Sequence, residues 1–590
     1  MKKVNKLLFV LIPIFLFIAI WALGELRFYG NDEILIMDVL SGRMTGEPYA
    51  CTSYFHIFLG FIISRLYKIA YLPWFPAFII ICTLLGETCI YDAIYGVIKN
   101  TRINIFIKVA LLIANLFLSA FLFSQLSFTV ASTLVGVASI YLLQKGKRKM
   151  SIAMLLLSTA IRTESGFVAC VFFVAMMLIK AQEESRINNI FKLIKAVFWR
   201  VVIVVLAVVM VSMTDEIIKY QIEPQGYREF RKAQAKNFDI IKNEDFNKKS
   251  DSLMQSIGWD DTLYKLSKYK YFSMDERINA TNLNLINQYA VGLKNFKIKN
   301  TWNYLRSIMN AQGILLMLLI TYTLSIYNIY VIIKQKDQRL LLYVLIYIFM
   351  SALFLYLCIL QRLISRSVLS IALPAMEITL FSIKNSKIKL STNETLYFDI
   401  VAFALSLLLF ITGRFLILTL LVLAFSFFRF KNKYIMSAVT IMLVISLSVL
   451  CVTAGKAQYR FAKFVNEISV NKEKIESYAQ KHRENIYIYG ADFFLDNRIN
   501  TTSTSTYNVL AYGGTQVHSR VHEIQMEKAG LKYYNTRALY ENNVYFVDLV
   551  SNPADVRLMN ELLKSKGKDD VLQLYDRIDN SDIGIYKLQN

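Results

Sequence analysis

The sequence predicts an all-α polytopic membrane bundle of about 13 transmembrane helices with a small C-terminal α/β domain outside the membrane, and three observations predict it. Of 590 residues, 55% are hydrophobic and only 18% are charged, a balance that excludes a string of soluble domains. Apolar runs approaching the roughly 17 to 25 residues that cross a bilayer recur along most of the chain. Beyond Gly455 the pattern changes to short strand-like runs and an amphipathic helix, which fits a small α/β domain.

The apolar runs come in order at 7–23, 75–97, 105–123, 126–143, 199–213, 314–333, 340–360, 368–383, 400–412, 415–428 and 435–452. Lys2, Lys3 and Lys6 give the first run the charge layout of a signal sequence. No small-residue cleavage site follows it, so it is expected to remain as the first membrane helix. The 150–180 stretch is too long for one ordinary crossing and is interrupted by Arg162-Thr163-Glu164, which predicts two short helices with a polar tip. The amphipathic 55–72 stretch carries Arg65 and Lys68 and is expected to lie in the interface or re-enter rather than cross. The long 215–307 loop predicts helices near 227–242 and 275–293, and the tail predicts strands at 485–489, 544–549 and 583–588 with a helix near 556–564.

A net charge of +23 does not call for nucleic acid in such a chain, because Lys and Arg accumulate in short cytoplasmic loops. Six basic clusters, at 99–108, 145–149, 192–195, 334–339, 384–389 and 429–433, fall on one side if 150–180 is a hairpin. That layout expects a multi-pass cell-membrane protein with the N-terminus cytoplasmic and the C-terminal domain extracytoplasmic. It divides the chain into a membrane domain, 1–455, with outer loops 24–54 and 215–307, and a tail domain, 456–590. The six cysteines lie in or beside apolar segments and read as neither a disulfide framework nor a metal site.

The adjacent carboxylates Asp32 and Glu33 follow the first hydrophobic run, where desolvating them is costly. Two readings fit: a functional acidic pair, or a helix start in which Asn31 or Asp32 caps and Glu33 favours the dipole. Arg162 likewise needs a partner in its apolar surroundings, either Glu164 as an ion pair or an anionic ligand such as a phosphate. Arg362 and Arg366, at i and i+4, would share a helical face near the outer end of a crossing, as a phosphate-binding pair or as side chains snorkelling to headgroups. Arg27 and Arg414 are weaker candidates of the same kind. His518 and His522 have the i, i+4 spacing of a metal pair, but no Glu follows the first as in HExxH, and no metal site is assigned. Gly513-Gly514 reads as a turn, and no phosphate loop, GxGxxG or GxSxG motif is present.

Asp32-Glu33 in the first outer loop of a many-helix chain resembles the GT-C superfamily of membrane glycosyltransferases, which includes oligosaccharyltransferases, protein O-mannosyltransferases and lipid A aminoarabinose transferases. A second resemblance, to a group of bacterial polytopic membrane proteins, spans most of the chain. It is carried by NDEILIMDVLSGRMTGEPY, LPWF, IRTES, GWDDTLYKLSKYKYFSMDE, QRLISRSVLSIALP and NVLAYGG, with Thr163 where that pattern has Pro or Ser. The GT-C resemblance implies a polyprenyl-phosphate-linked sugar donor and an envelope glycan, lipid or protein acceptor. Asp32 would then be the base, Glu33 would orient the acceptor or hold a divalent cation, Arg162, Arg362 and Arg366 would stabilise the phosphate leaving group, and Glu164 would join them among the substrate-binding residues. Two other classes fit the same residues: a transporter or flippase of envelope polymer or lipid-linked precursor, and a non-catalytic envelope-binding membrane protein.

Overall fold

The computed structural model describes residues 2–23, 26–99, 126–185, 190–240, 251–268, 271–293, 312–360, 362–385, 471–490, 505–579 and 581–589, with scattered positions at 112–123 and Ile499. The apolar runs 400–412, 415–428 and 435–452, Arg414, and most of 105–123 lie outside the described residues. Contacts divide the chain into two compact units. The first comprises Met1–Arg27, Ala77–Ser212 and Lys297–Lys463, and the second Phe28–Pro76, Met213–Phe296 and Phe464–Asn590. The boundary expected at 455/456 lies outside the described residues.

The first unit is a helical bundle. Five helices of the described chain are long and apolar enough to cross a membrane: Trp74–Lys99, Thr163–Ser185, Phe191–Ile222, Leu340–Ile359 and Ser365–Lys384. Shorter apolar helices occur at Ile12–Ala22, Phe128–Gln144 and Leu324–Lys334. The Phe128–Gln144 helix sits innermost, because Ala131, Ser132, Thr133, Gly136 and Ser139 let neighbouring backbones come close. Hydroxyls pin it there. Ser132 Oγ donates to the Ser158 carbonyl and Ser158 Oγ to the Ser132 carbonyl, each at 2.8 Å, while Thr133 meets Ser370 at 2.8 Å. In a setting without water, such reciprocal bonds satisfy groups that would otherwise cost several kcal/mol each, roughly.

The chain breaks at Arg162, as the polar triplet predicts, into helices Arg148–Ile161 and Thr163–Ser185. The second arm is not short. At 23 residues it is long enough to span a bilayer. Lys6 and Lys145 meet on Asp92 at 2.7 and 3.0 Å. Arg148 reaches Glu184, and Arg339 pairs with Glu183 and Asp337. Basic residues that the sequence assigns to one side thus gather at one end of the bundle.

The second unit combines outer-loop segments with the tail. Its sheet runs β2-β1-β3-β5-β4, with β1 (Ile486–Tyr489), β2 (Val509–Ala511), β3 (Val544–Leu549), β4 (Val571–Arg577) and β5 (Ile583–Gln589). β1 pairs in parallel with β2 and β3, and β5 pairs antiparallel with β3 and β4. The sequence missed β2, which is three residues long, and β4, which buries only Leu572 and so lacks alternation. The predicted tail helix is Ala554–Ser565, and the long loop supplies Tyr227–Ile240, Asp251–Ser256, Asp261–Lys268 and Ala280–Leu293. Helix Ile57–Ile69 has 13 residues, about 20 Å at 1.5 Å each, too short to cross a bilayer core of about 30 Å. Its start is tied down by Asp215, which accepts the Ile57 N–H at 2.8 Å. Gly60 allows its close approach to Ala50, whose carbonyl oxygen lies 2.1 Å from where a Cβ would stand.

Helix Asn31–Ser41 ends on Gly42 in the left-handed region (φ +84°), and a Cβ there would lie 2.5 Å from the Glu47 carbonyl carbon. The turn brings Arg43 back under the helix. Gly42→Ala should therefore destabilise the second unit by about 2 kcal/mol or more, combining left-handed strain with a backbone clash. A lowered thermal midpoint in detergent checks this, and an unchanged midpoint contradicts it.

Candidate functional site

Gly30, in extended backbone and without a side-chain bond, is the N-cap of helix Asn31–Ser41. The capping role expected of Asn31 or Asp32 is therefore not taken by either. The helix starts at Asn31, so Asp32 and Glu33 fall in its first turn, where its dipole favours a carboxylate. Successive side chains on a helix diverge by about 100°, and the two acids accordingly part company. Glu33 is fully buried (0% exposed). Asp32, with Asn31, Leu35 and Asp38, lines a cavity of about 300 Å³ within the second unit.

The opposite wall comes from the tail. Tyr489 and Ala511, the last residues of β1 and β2, line the cavity with the 513–517 loop. Parallel strands commonly present ligand sites outside their carboxyl ends, and this cavity occupies that position. Helix Arg520–Ala529 adds His522 and Gln525 from its first turns, its own start capped by Ser519 Oγ accepting the His522 N–H. Gly513-Gly514, a plain turn on sequence grounds, belongs to this wall.

Four charges hold the two walls together. Arg43, only 2% exposed, donates to Glu476 at 2.8 Å and to Asp38 at 3.5 Å. Lys472 approaches Asp38 at 3.7 Å and Glu476 at 3.9 Å. Burial pushes the Glu476 carboxyl above its usual range, while Lys472 and Arg43 oppose that shift. The Arg43 carbonyl accepts from Thr506 N–H at 2.9 Å and Ser505 Oγ at 3.1 Å, so the same turn is bonded through backbone and side chain. None of these four was singled out in the sequence. The Arg43 and Glu476 partners are 433 positions apart, and no local pattern marks them.

The cationic candidates belong to the first unit. Arg162 has extended φ and ψ at the break between two helices. Its Nε lies 3.3 Å from Glu164, its Nη1 donates to Thr129 Oγ1 at 2.9 Å, and its guanidinium lies over the Phe128 ring at 5.0 Å. The Glu164 pairing that the sequence offered is thus present, although Glu164 is largely exposed and such a pair contributes about 1 kcal/mol at most. Arg366 lies in the first turn of helix Ser365–Lys384. One turn on, Ser370 meets Thr133 at 2.8 Å and Ser165 at 3.4 Å, which puts Arg366 at the same end of the bundle as Arg162. Arg362 does not share a helical face with Arg366, because the chain leaves helix Leu340–Ile359 and re-enters helix only at Ser365. Exposed Arg362 instead lies in the connecting turn, its N–H on the Leu357 carbonyl at 2.9 Å. The Arg27 carbonyl accepts the Leu126 N–H at 2.8 Å.

Among the described residues no group of three or more His, Cys, Asp and Glu side chains is placed to hold a metal ion, and Glu33 does not line the cavity. His518 and His522 do not form a metal pair either, since the His518 N–H occupies His522 Nδ1 at 3.2 Å.

No protein-family model matches the chain, and no curated protein sequence does. Two solved structures are similar to it. The crystal structure of ArnT from Cupriavidus metallidurans in the apo state has 12% identity and a TM-score of 0.45 over 99% of this chain and 98% of that one. The structure of the same protein bound to undecaprenyl phosphate has 10% identity and a TM-score of 0.45 over 98% and 97%.

Burial pulls the His522 imidazole down to about 3, and His518 adds to the same direction. A base whose folded pKa lies below its unfolded value of about 6.5 contributes stability that is present at neutral pH and lost as pH falls toward the folded value. Wild type should therefore lose stability relative to His522→Gln between about pH 6.5 and pH 3. Unfolding midpoints measured across that window check this, and parallel profiles contradict it.

Proposed function

We propose that the protein is a membrane glycosyltransferase that moves a sugar from a polyprenyl-phosphate-linked donor to a hydroxyl of a cell-envelope glycan, lipid or protein on the outer face of the cell membrane. The observation that carries this reading is Asp32, a carboxylate in the first turn of a helix, lining a cavity in a chain that also has membrane-length helices. The resemblance of Asp32-Glu33 to the GT-C acidic motif names the reaction class.

The chemistry is a displacement at the anomeric carbon. The acceptor hydroxyl gives its proton to an Asp32 carboxylate oxygen as its own oxygen bonds to the anomeric carbon. The bond from that carbon to the phosphate oxygen breaks, and polyprenyl phosphate leaves with the electron pair. Inversion follows from a single displacement. The developing phosphate charge calls for cations, and Arg162, Arg362 and Arg366 are the proposed partners, with Glu164 holding Arg162 in place. Glu33 is proposed to orient the acceptor indirectly, from its buried position beside Asp32. No step is assigned to a metal ion.

In this reading the N-terminus is cytoplasmic and the cavity opens to the extracytoplasmic side, reached by donor from the lipid and by acceptor from the envelope. Membranes supplied with polyprenyl-phosphate-linked sugar should lose transfer by about 100-fold or more in Asp32→Asn, the typical worth of a positioned general base. Full transfer by that variant would remove Asp32 from the mechanism. Movement of the lipid-linked sugar across the membrane without a new glycosidic bond would favour a transporter instead.

A further inference from the structure

The cavity wall holds a side-chain nitrogen that the transfer chemistry does not employ. His522 is 5% exposed and lines the cavity, and its Nε2 is buried without a hydrogen-bond partner. Its protonation is fixed by its neighbours. Nδ1 accepts the His518 N–H at 3.2 Å, so the proton of the neutral ring lies on Nε2, making that atom a donor. The ring packs nearly perpendicular to Tyr534, whose OH is held by the Ala511 carbonyl. Thr515 Oγ1, on the same wall, is also buried without a partner. A buried donor left unmade is costly, and a ligand oxygen would satisfy it.

The charge on the walls selects the ligand. Asp32, Asp38 and Glu476 line the cavity against a single ammonium, Lys472, with the Arg43 guanidinium bonded to Glu476 and Asp38. Carboxylates accept from hydroxyls and repel phosphate, while His522 offers a neutral donor to an oxygen. A volume of about 300 Å³ is at the small end of ligand sites and suits one ring rather than a chain of them. We infer that this cavity is a subsite for an uncharged polyhydroxyl ring, with His522 Nε2–H donating to a ring or hydroxyl oxygen, and that it receives the acceptor sugar rather than the donor's phosphate. The inference rests on the transfer reading for the word acceptor alone, and binding can be measured without any donor.

The test is saturation-transfer NMR on the full-length protein in detergent, with the methyl glycosides of glucose, galactose and mannose as probes at about 10 mM, suited to millimolar affinities. At least one glycoside should saturate, and inorganic phosphate at similar concentration should not displace it. His522→Phe should weaken that binding about tenfold, while His522→Gln, which keeps an N–H near the Nε2 position, should stay within about threefold of wild type. Should His522→Phe fail to fold, Thr515→Val takes its place and should weaken binding several-fold, roughly the worth of one hydrogen bond. The subsite is overturned if no glycoside saturates, if phosphate displaces it, or if both the His522→Phe and Thr515→Val proteins bind like wild type. The two readings separate cleanly. Loss of transfer in Asp32→Asn with glycoside binding indifferent to His522 sinks the subsite alone, and the converse pattern sinks the base assignment alone.

Discussion

Everything proposed for the second unit depends on one guanidinium. Arg43 is almost wholly removed from solvent, and its partners Asp38 and Glu476 come from the helix at its own back and from the tail. Burying such a group is costly unless its charge is matched, and breaking a buried pair by removing one partner typically costs about 3–5 kcal/mol. With Lys472 completing the set, two positive and two negative side chains make the junction neutral. The helix that carries Asp32 is thereby fixed in register against the strand ends that carry Tyr489 and Ala511.

That junction explains how a site can be built from distant sequence. The Gly42 turn reverses the chain after helix Asn31–Ser41 and delivers Arg43 beneath it. The tail answers with helix 471–481, which presents Lys472 and Glu476 one turn apart on a single face. Once these are docked, residues that look unremarkable alone, such as Gly513, Gly514 and His522, become parts of one wall. Asp32 then stands in a cavity with both hydrogen-bond acceptors and a neutral donor, which is the chemistry a hydroxyl-bearing ring requires.

What the sequence could reveal follows from the range of each interaction. The long apolar helices were legible because a bilayer demands continuous hydrophobic length, and the break at Arg162 because a polar triplet cannot be buried in such a run. Asp32 was legible because adjacent carboxylates beside a membrane segment are expensive to keep there. Local spacing misled at one place, since Arg362 and Arg366 have helical separation, yet the helix begins between them at Ser365. The cavity itself was not legible, since its defining pair, Arg43 and Glu476, couples the two ends of the chain through no periodic signal.

The most direct test is a double-mutant cycle on Arg43 and Glu476, using Arg43→Met, Glu476→Gln and both together, with unfolding followed by a probe in the tail domain. A clasp that holds the two walls together predicts that the single variants are each destabilised and that the double variant recovers part of the loss, with a coupling of about 2 kcal/mol or more. Additive effects, with coupling near zero, would mean that Arg43 and Glu476 do not join the Asp32 helix to the tail, and the cavity would lose its structural basis.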